Sequence, residues 1–98
     1  MYQVIFHPEA SIDFIESKVW YELQQEGLGE RFSDAVRSTL DLIQNKPELF
    51  QKTKNNFREA VTPVFPFTLV YQVKKRKKLI IIAAIYHGKR NPKGKYRQ

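Results

Sequence analysis

Of the 98 residues in this chain, those whose types and spacing could do chemistry are a histidine, an arginine–glutamate pair and a dense set of cations. His87 closes an apolar run and is followed by Gly88-Lys89-Arg90-Asn91-Pro92. A histidine at a sheet rim can act as general base toward a ribose 2′-hydroxyl, and neighbouring cations would keep it in the neutral form that a base requires. It can equally cap the strand by bonding backbone there. Arg58 has parity opposite to Phe57 in a strand-like run, so its guanidinium is expected to face away from the core. There it would clamp a phosphate or stabilise transition-state charge. A plain cross-strand ion pair is the alternative. Glu59 shares parity with Phe57 and Val61 and is expected to be partly buried, serving as acid or base only if it reaches the His87 side.

The cations form two groups: a turn, Lys74-Lys75-Arg76-Lys77-Lys78, and a tail with Lys89, Arg90, Lys93, Lys95 and Arg97. Tyr86 and Tyr96 lie within and after this field. Cations interleaved with aromatics are what phosphate contacts and base stacking need, so Lys75, Arg76, Lys77, Lys89, Lys93, Lys95, Tyr96 and Arg97 are read as the nucleic-acid or target-binding set. A solvated loop and a docking surface for an acidic partner are the other readings. Residues 60–98 hold ten Lys or Arg and no acid, whereas residues 1–59 hold seven bases against ten acids. The overall charge of +7 favours a polyanionic partner: nucleic acid, an acidic protein or an anionic surface.

The absence of cysteine excludes disulfides, thiol catalysis and Cys-ligated zinc. His7 and His87, without clustered carboxylates, do not make a metal site, and no phosphate-binding glycine motif is present, so no cofactor is expected. No secretory signal precedes the first apolar run, and the longest such run, Leu79 to Tyr86, is too short to cross a bilayer. A cytoplasmic protein without membrane contact is expected.

These residues must be positioned by a small number of elements. Tyr2 to Phe6 is a β-rich run, and Pro8 with Glu9 marks a helix start. Ile12, Ile15, Val19 and Leu23 fall on one stripe of a first amphipathic helix, with Trp20 and Tyr21 beside it for packing or a partner. Gly27-Leu28-Gly29 interrupts, and Phe32, Ala35, Val36, Leu40 and Ile43 form the stripe of a second helix that Asn45-Lys46-Pro47 closes. So short a break predicts an antiparallel hairpin. Beyond Pro47, Asn55 to Thr62, Phe67 to Val73 and Leu79 to Tyr86 read as strands. In the middle one Phe67, Leu69, Tyr71 and Val73 face one way, and Thr68, Val70 and Gln72 the other. The last is apolar on both parities, as a central strand should be. The expected class is α+β in the order β-α-α-β-β-β, a small antiparallel-rich sheet with the helical hairpin packed on one face. One domain is expected over residues 1–98, with 88–98 a basic tail.

The helix entry His7-Pro8-Glu9-Ala10, the two helices, the Phe57-Arg58-Glu59 strand, Phe65-Pro66-Phe67-x-Leu69-Val70-Tyr71 and His87-x-x-Arg90-Asn91-Pro92, in this order and spacing, resemble the RelE/ParE superfamily of toxins from type II toxin–antitoxin systems, and the resemblance spans nearly the whole chain. It implies an acidic, DNA-binding antitoxin that neutralises the toxin by wrapping it, in a complex that can be of higher order. RelE-like members cut mRNA in the ribosomal A site, some with a histidine base near the end of the last strand. ParE-like members poison DNA gyrase and cut nothing. Many nuclease members carry an arginine where this chain has Thr68. Losing a guanidinium at a pentavalent phosphate would cost several kcal/mol, roughly the scale of an oxyanion contact. Arg58 or Arg90 would have to replace it, with His87 as base. The His-x-x-Arg-Asn-Pro ending resembles the ParE-like, plasmid-stabilisation side, which the balance favours. A non-toxic member that only binds its antitoxin is the third reading.

Overall fold

The computed structural model describes residues 1–88. The elements run β1 (Gln3–Phe6), α1 (Pro8–Gln24), α2 (Leu28–Asn45), β2 (Phe57–Val61), β3 (Phe67–Lys74) and β4 (Leu79–His87), with one short 3-10 turn (Lys54–Asn56) before β2. This is the expected β-α-α-β-β-β order.

Local chemistry explains where the helices begin and turn. His7 caps α1, its Nδ1 accepting from the Glu9 N–H at 3.1 Å, and Pro8 follows at the first helical position, where a missing N–H does no harm. Between the helices, Gly27 adopts φ +88°, a left-handed conformation open to glycine. Glu22 then reaches across the break: its carboxylate accepts from the N–H groups of Gly27 at 2.9 Å and Gly29 at 3.0 Å. An acid placed on the unsatisfied N–H groups that open α2 meets both its hydrogen bonds and its dipole. The hairpin closes so tightly there that a Cβ on Gly29 would stand 2.7 Å from the Lys18 carbonyl oxygen.

The sheet order is β1-β4-β3-β2. β2 with β3 and β3 with β4 are antiparallel, whereas β1 lies parallel to β4, from Gln3 opposite Leu79 to Phe6 opposite Ile82. β4 is therefore central, as its two-sided apolar pattern predicts. The register of β3 on β4 steps between Val70 opposite Ala84 and Tyr71 opposite Ile82, leaving Ala83 as an extra residue. Both helices pack on one face, over a core of Phe32, Val36, Ile43, Leu69, Tyr71, Ile80 and Ile82. Phe32 is its centre: the rings of Phe14, Tyr21 and Phe67 stand 5.9, 5.2 and 4.9 Å from it. A separate cluster of Phe57, Val70, Ala83 and Ala84 lies on the other face.

Two expectations need correction. The Ile12, Ile15, Val19 and Leu23 stripe does not face the core; all four are exposed, at 52, 58, 52 and 78%. α1 has a second inward ladder, Ala10, Phe14 and Tyr21, and stacking on Phe32 makes that face the buried one. The first strand after the helices starts at Phe57 rather than Asn55, because Asn55 and Asn56 have φ of 56° and 65°. Asparagine visits that left-handed region readily, and it cannot continue a strand.

Candidate functional site

β4 carries the candidate residues to opposite ends of the sheet. Nine residues of strand separate its start at Leu79 from its end at His87, about 25–30 Å at the usual rise. The basic turn lies at one end and His87 at the other. The turn cations and His87 thus stand at opposite ends of β4.

At the hairpin end, Arg58 departs from expectation. It pairs with Tyr71, whose ring is in the helix-side core, so Arg58 points to the helix side and not away from it. Phe57 is also buried, but in the cluster on the opposite face. Phe57 and Arg58 do take opposite faces, but each face of the sheet carries a core cluster. The Arg58 guanidinium donates to the carbonyls of Phe50 at 2.6 Å and Glu48 at 3.3 Å, clipping the segment after α2 onto the sheet. The Tyr71 hydroxyl donates to the Pro47 carbonyl at 2.7 Å in the same place. Burial pushes the Tyr71 phenol up to about 12, with Arg58 pulling weakly the other way. Lys75 contacts Glu48; that hydrogen bond and charge hold the carboxyl below its usual range and the ammonium above its own. Around these groups lies an open depression of about 500 Å³ whose rim includes Lys52, Arg58, Lys74, Lys75, Arg76 and Lys77. Of the expected site residues, the structure brings Arg58, Lys75, Arg76 and Lys77 together. Lys52 and Glu48 joined them unforeseen, since nothing in the sequence shows the 46–56 segment folding back along β2.

At the other end, His87 is half-buried and meets the Phe67 ring edge-on at 5.6 Å. It lines a cleft of about 540 Å³ between α1 and β4, with Asp13, Glu16, Trp20 and Tyr86. Asp13 Oδ2 accepts from the Ile85 N–H at 3.3 Å, joining α1 to the end of β4. The described charges in this cleft are carboxylates, where sequence position alone suggested cations. Asp13 and Glu16 sit one helical turn apart on α1 and reach His87 only through the tertiary fold. Lys89, Arg90, Lys93, Lys95, Tyr96 and Arg97 lie outside the described residues.

Thr68 faces the side opposite the helices, paired with Val61 and Tyr86. Glu59 lies on the same face, and the Tyr86 hydroxyl donates to its Oε1 at 3.1 Å. The strand residues beside Thr68 are thus apolar, aromatic or acidic. Among the described residues, no group of three or more His, Asp or Glu could hold a metal ion, and no helix is long and apolar enough to cross a membrane.

Residues 4–92 match the family described as the ParE toxin of the type II toxin–antitoxin system, parDE. Among solved structures, the fold is similar to the isolated E. coli RelE toxin, with a TM-score of 0.69 and 15% identity over 93% of this chain and 88% of that one. The toxin fold also recurs in the intact E. coli RelBE toxin–antitoxin complex, with a TM-score of 0.69 and 15% identity over 92% of this chain and 100% of that one. The chromosomal ParDE system from P. aeruginosa gives a TM-score of 0.65 and 17% identity over 89% and 96% of the two chains. No significant match was found among curated proteins. At these identities the structural likeness speaks for the fold.

Proposed function

The chain belongs to the ParE toxin family of type II toxin–antitoxin systems, and on that premise we propose that it arrests growth by poisoning DNA gyrase without itself cutting nucleic acid. The observation that carries this reading is the surroundings of Thr68. A nuclease of this fold needs a cation aimed at the scissile phosphate from the sheet, and here Thr68 lies among Val61, Tyr86 and Glu59. A carboxylate beside a pentavalent phosphate raises its energy rather than lowering it. Arg58, bound to the Phe50 and Glu48 carbonyls on the other face, is not placed to fill in. We assign the contact with gyrase to the His87 end of the molecule, continuing through Arg90 into the tail.

The partner is an antitoxin, as the RelBE toxin–antitoxin complex and the ParDE system of this fold suggest, and the charge of +7 favours an acidic one. Its apolar contacts fall on the exposed ladder of Ile12, Ile15, Val19 and Leu23 on α1, where a partner helix can lay a matching face.

The test is direct: purified protein at micromolar concentration should block negative supercoiling of relaxed plasmid by gyrase and leave mRNA intact in a translation extract. No effect on supercoiling would overturn the reading. The competing reading, a ribosome-dependent endoribonuclease, draws on His87 at the sheet rim beside Asp13 and Glu16. It requires mRNA cleavage that His87→Ala and Arg90→Ala abolish.

A further inference from the structure

The hairpin end is left unused by the gyrase reading, and its chemistry points to a different ligand. We propose that the end of the molecule formed by the β3–β4 turn and the Lys52–Arg58 segment binds the phosphodiester backbone of duplex nucleic acid. Two separate stretches of chain bring their cations to one rim there: Lys52 and Arg58 from the edge of β2, and Lys74 to Lys77 from the turn. Among the described residues only one carboxylate, Glu48, shares the depression, and Lys75 already engages it. Lys52 and Lys74 to Lys77 are all exposed, so their ammonium and guanidinium groups can reach phosphates without leaving the surface. Arg58 acts as a positioning residue, holding the 48–50 backbone against the sheet and with it Lys52.

Three features select a duplex backbone over other polyanions. First, among the described residues no aromatic side chain lines the depression, and Tyr2, beside the turn, already has the Lys78 ammonium over its ring at 5.3 Å, so the open stacking platform that single strands use is missing. Second, Asn56 and Gln72 add neutral polar groups to the rim, of the kind that contact phosphate oxygens beside Lys and Arg. Third, an acidic peptide adding as a strand along this depression would need the edge of β2, and beside Arg58 that edge is already occupied. Lys52 bridges to Arg58, the Glu59 N–H donates to the Gln51 carbonyl at 3.3 Å, and the Thr53 N–H donates to the Phe57 carbonyl at 2.6 Å. The cations also stand on a fixed base: β3 and β4 are paired up to Lys74 opposite Leu79, and the Lys78 N–H donates back to the Lys75 carbonyl at 3.2 Å.

The test is fluorescence anisotropy of a labelled mixed-sequence duplex, as DNA and as RNA, titrated with the full chain across a salt series. If about four phosphates are neutralised, the logarithm of the affinity should fall with that of salt concentration with a slope of roughly −3 to −4. The triple variant Lys75→Ala, Arg76→Ala, Lys77→Ala should flatten that slope by about 2 to 3 and weaken binding about tenfold or more. Lys75→Arg with Lys77→Arg, which keeps the charge, should bind as the parent does. Lys93→Ala, Lys95→Ala, Arg97→Ala removes the same charge from the tail and should leave the slope nearly unchanged. Equal losses from the turn and tail variants would overturn the proposal, because binding would then follow net charge alone. So would equally tight binding of poly-glutamate. The turn residues are exposed, and unchanged thermal unfolding of each variant verifies that the fold is intact. Failure of the gyrase assay leaves this result standing, since duplex binding is measured without gyrase.

Discussion

Gly29 is the residue on which the helical hairpin closes. A Cβ there would meet the Lys18 carbonyl oxygen at 2.7 Å and Glu22 Oε1 at 2.9 Å. The first is backbone and cannot swing aside; the second is the carboxylate that caps α2. Gly29→Ala should therefore destabilise by about 1–3 kcal/mol, through overpacking and a displaced cap. A shift of the urea midpoint without a change in slope would show this, and an unshifted midpoint would mean that the two helices separate at little cost. Tyr71 makes a second residue-level prediction, through pH. Its folded phenol is held up to about 12 against an ordinary 10.0. A raised folded value gives stability that is complete below pH 10 and is lost as pH climbs toward 12. The gap of two units corresponds to roughly 2–3 kcal/mol. Stability followed from neutral pH to above pH 11 should fall through that window. Tyr71→Phe should lose that fall along with about 1 kcal/mol of hydrogen bonding to Pro47. An identical pH profile in the variant would remove Tyr71 as its source.

At the scale of the element, α1 is unusual in having two apolar ladders. Phe14 stacks on Phe32 from the inner one, whereas Ile15 and Val19 stand more than half exposed on the outer one. Phe14→Ala should cost about 2–4 kcal/mol, the cost of emptying a largely covered aromatic site. Ile15→Ser and Val19→Ser should each stay within about 0.5 kcal/mol of the parent, as surface changes do. Chemical denaturation of the three variants measures both, and the reverse ranking would restore the outer ladder to the core. This helix also shows what periodicity can and cannot tell. On α2 only one stripe is apolar, and Phe32, Ala35, Val36 and Ile43 are buried where spacing put them. On α1 spacing finds the ladder but not its direction, because direction depends on aromatic partners that arrive from α2 and β3. β3 alternates as expected, since Phe67, Leu69 and Tyr71 repeat every second residue without interruption. The parallel pairing of β1 with β4 and the extra Ala83 are tertiary outcomes with no local signal. The same limit governs the site. Clustered cations at Lys75 to Lys77 are visible in the sequence, but their meeting with Lys52 and Glu48 depends on a fold-back, and the acids beside His87 depend on α1 crossing the end of β4.

The whole molecule combines a small core with a strongly basic surface. A chain of 98 residues buries about two-thirds of its unfolded surface and retains about 5–15 kcal/mol of net stability. With a charge of +7, self-repulsion lowers that further. The open ladder on α1 adds an apolar surface that water must cover until something else does. Both liabilities are relieved by one event: docking of the acidic antitoxin proposed as partner. A ligand that binds only the folded state at a hundredfold its Kd stabilises by about 2.7 kcal/mol. For a chain of this size each kcal/mol moves the midpoint by about 4–8 °C, so thermal unfolding should rise by roughly 10–20 °C. The ladder assignment is tested in the same experiment. Ile15→Asp with Val19→Asp should unfold close to the parent temperature when alone, because neither side chain is in the core. With antitoxin at the parent's saturating concentration, that variant should lose most of the rise. A full rise in the variant would move the antitoxin off α1. No rise in the parent would mean that the partner holds the unfolded chain as well as the folded one, and that neutralisation works by some route other than covering the folded toxin.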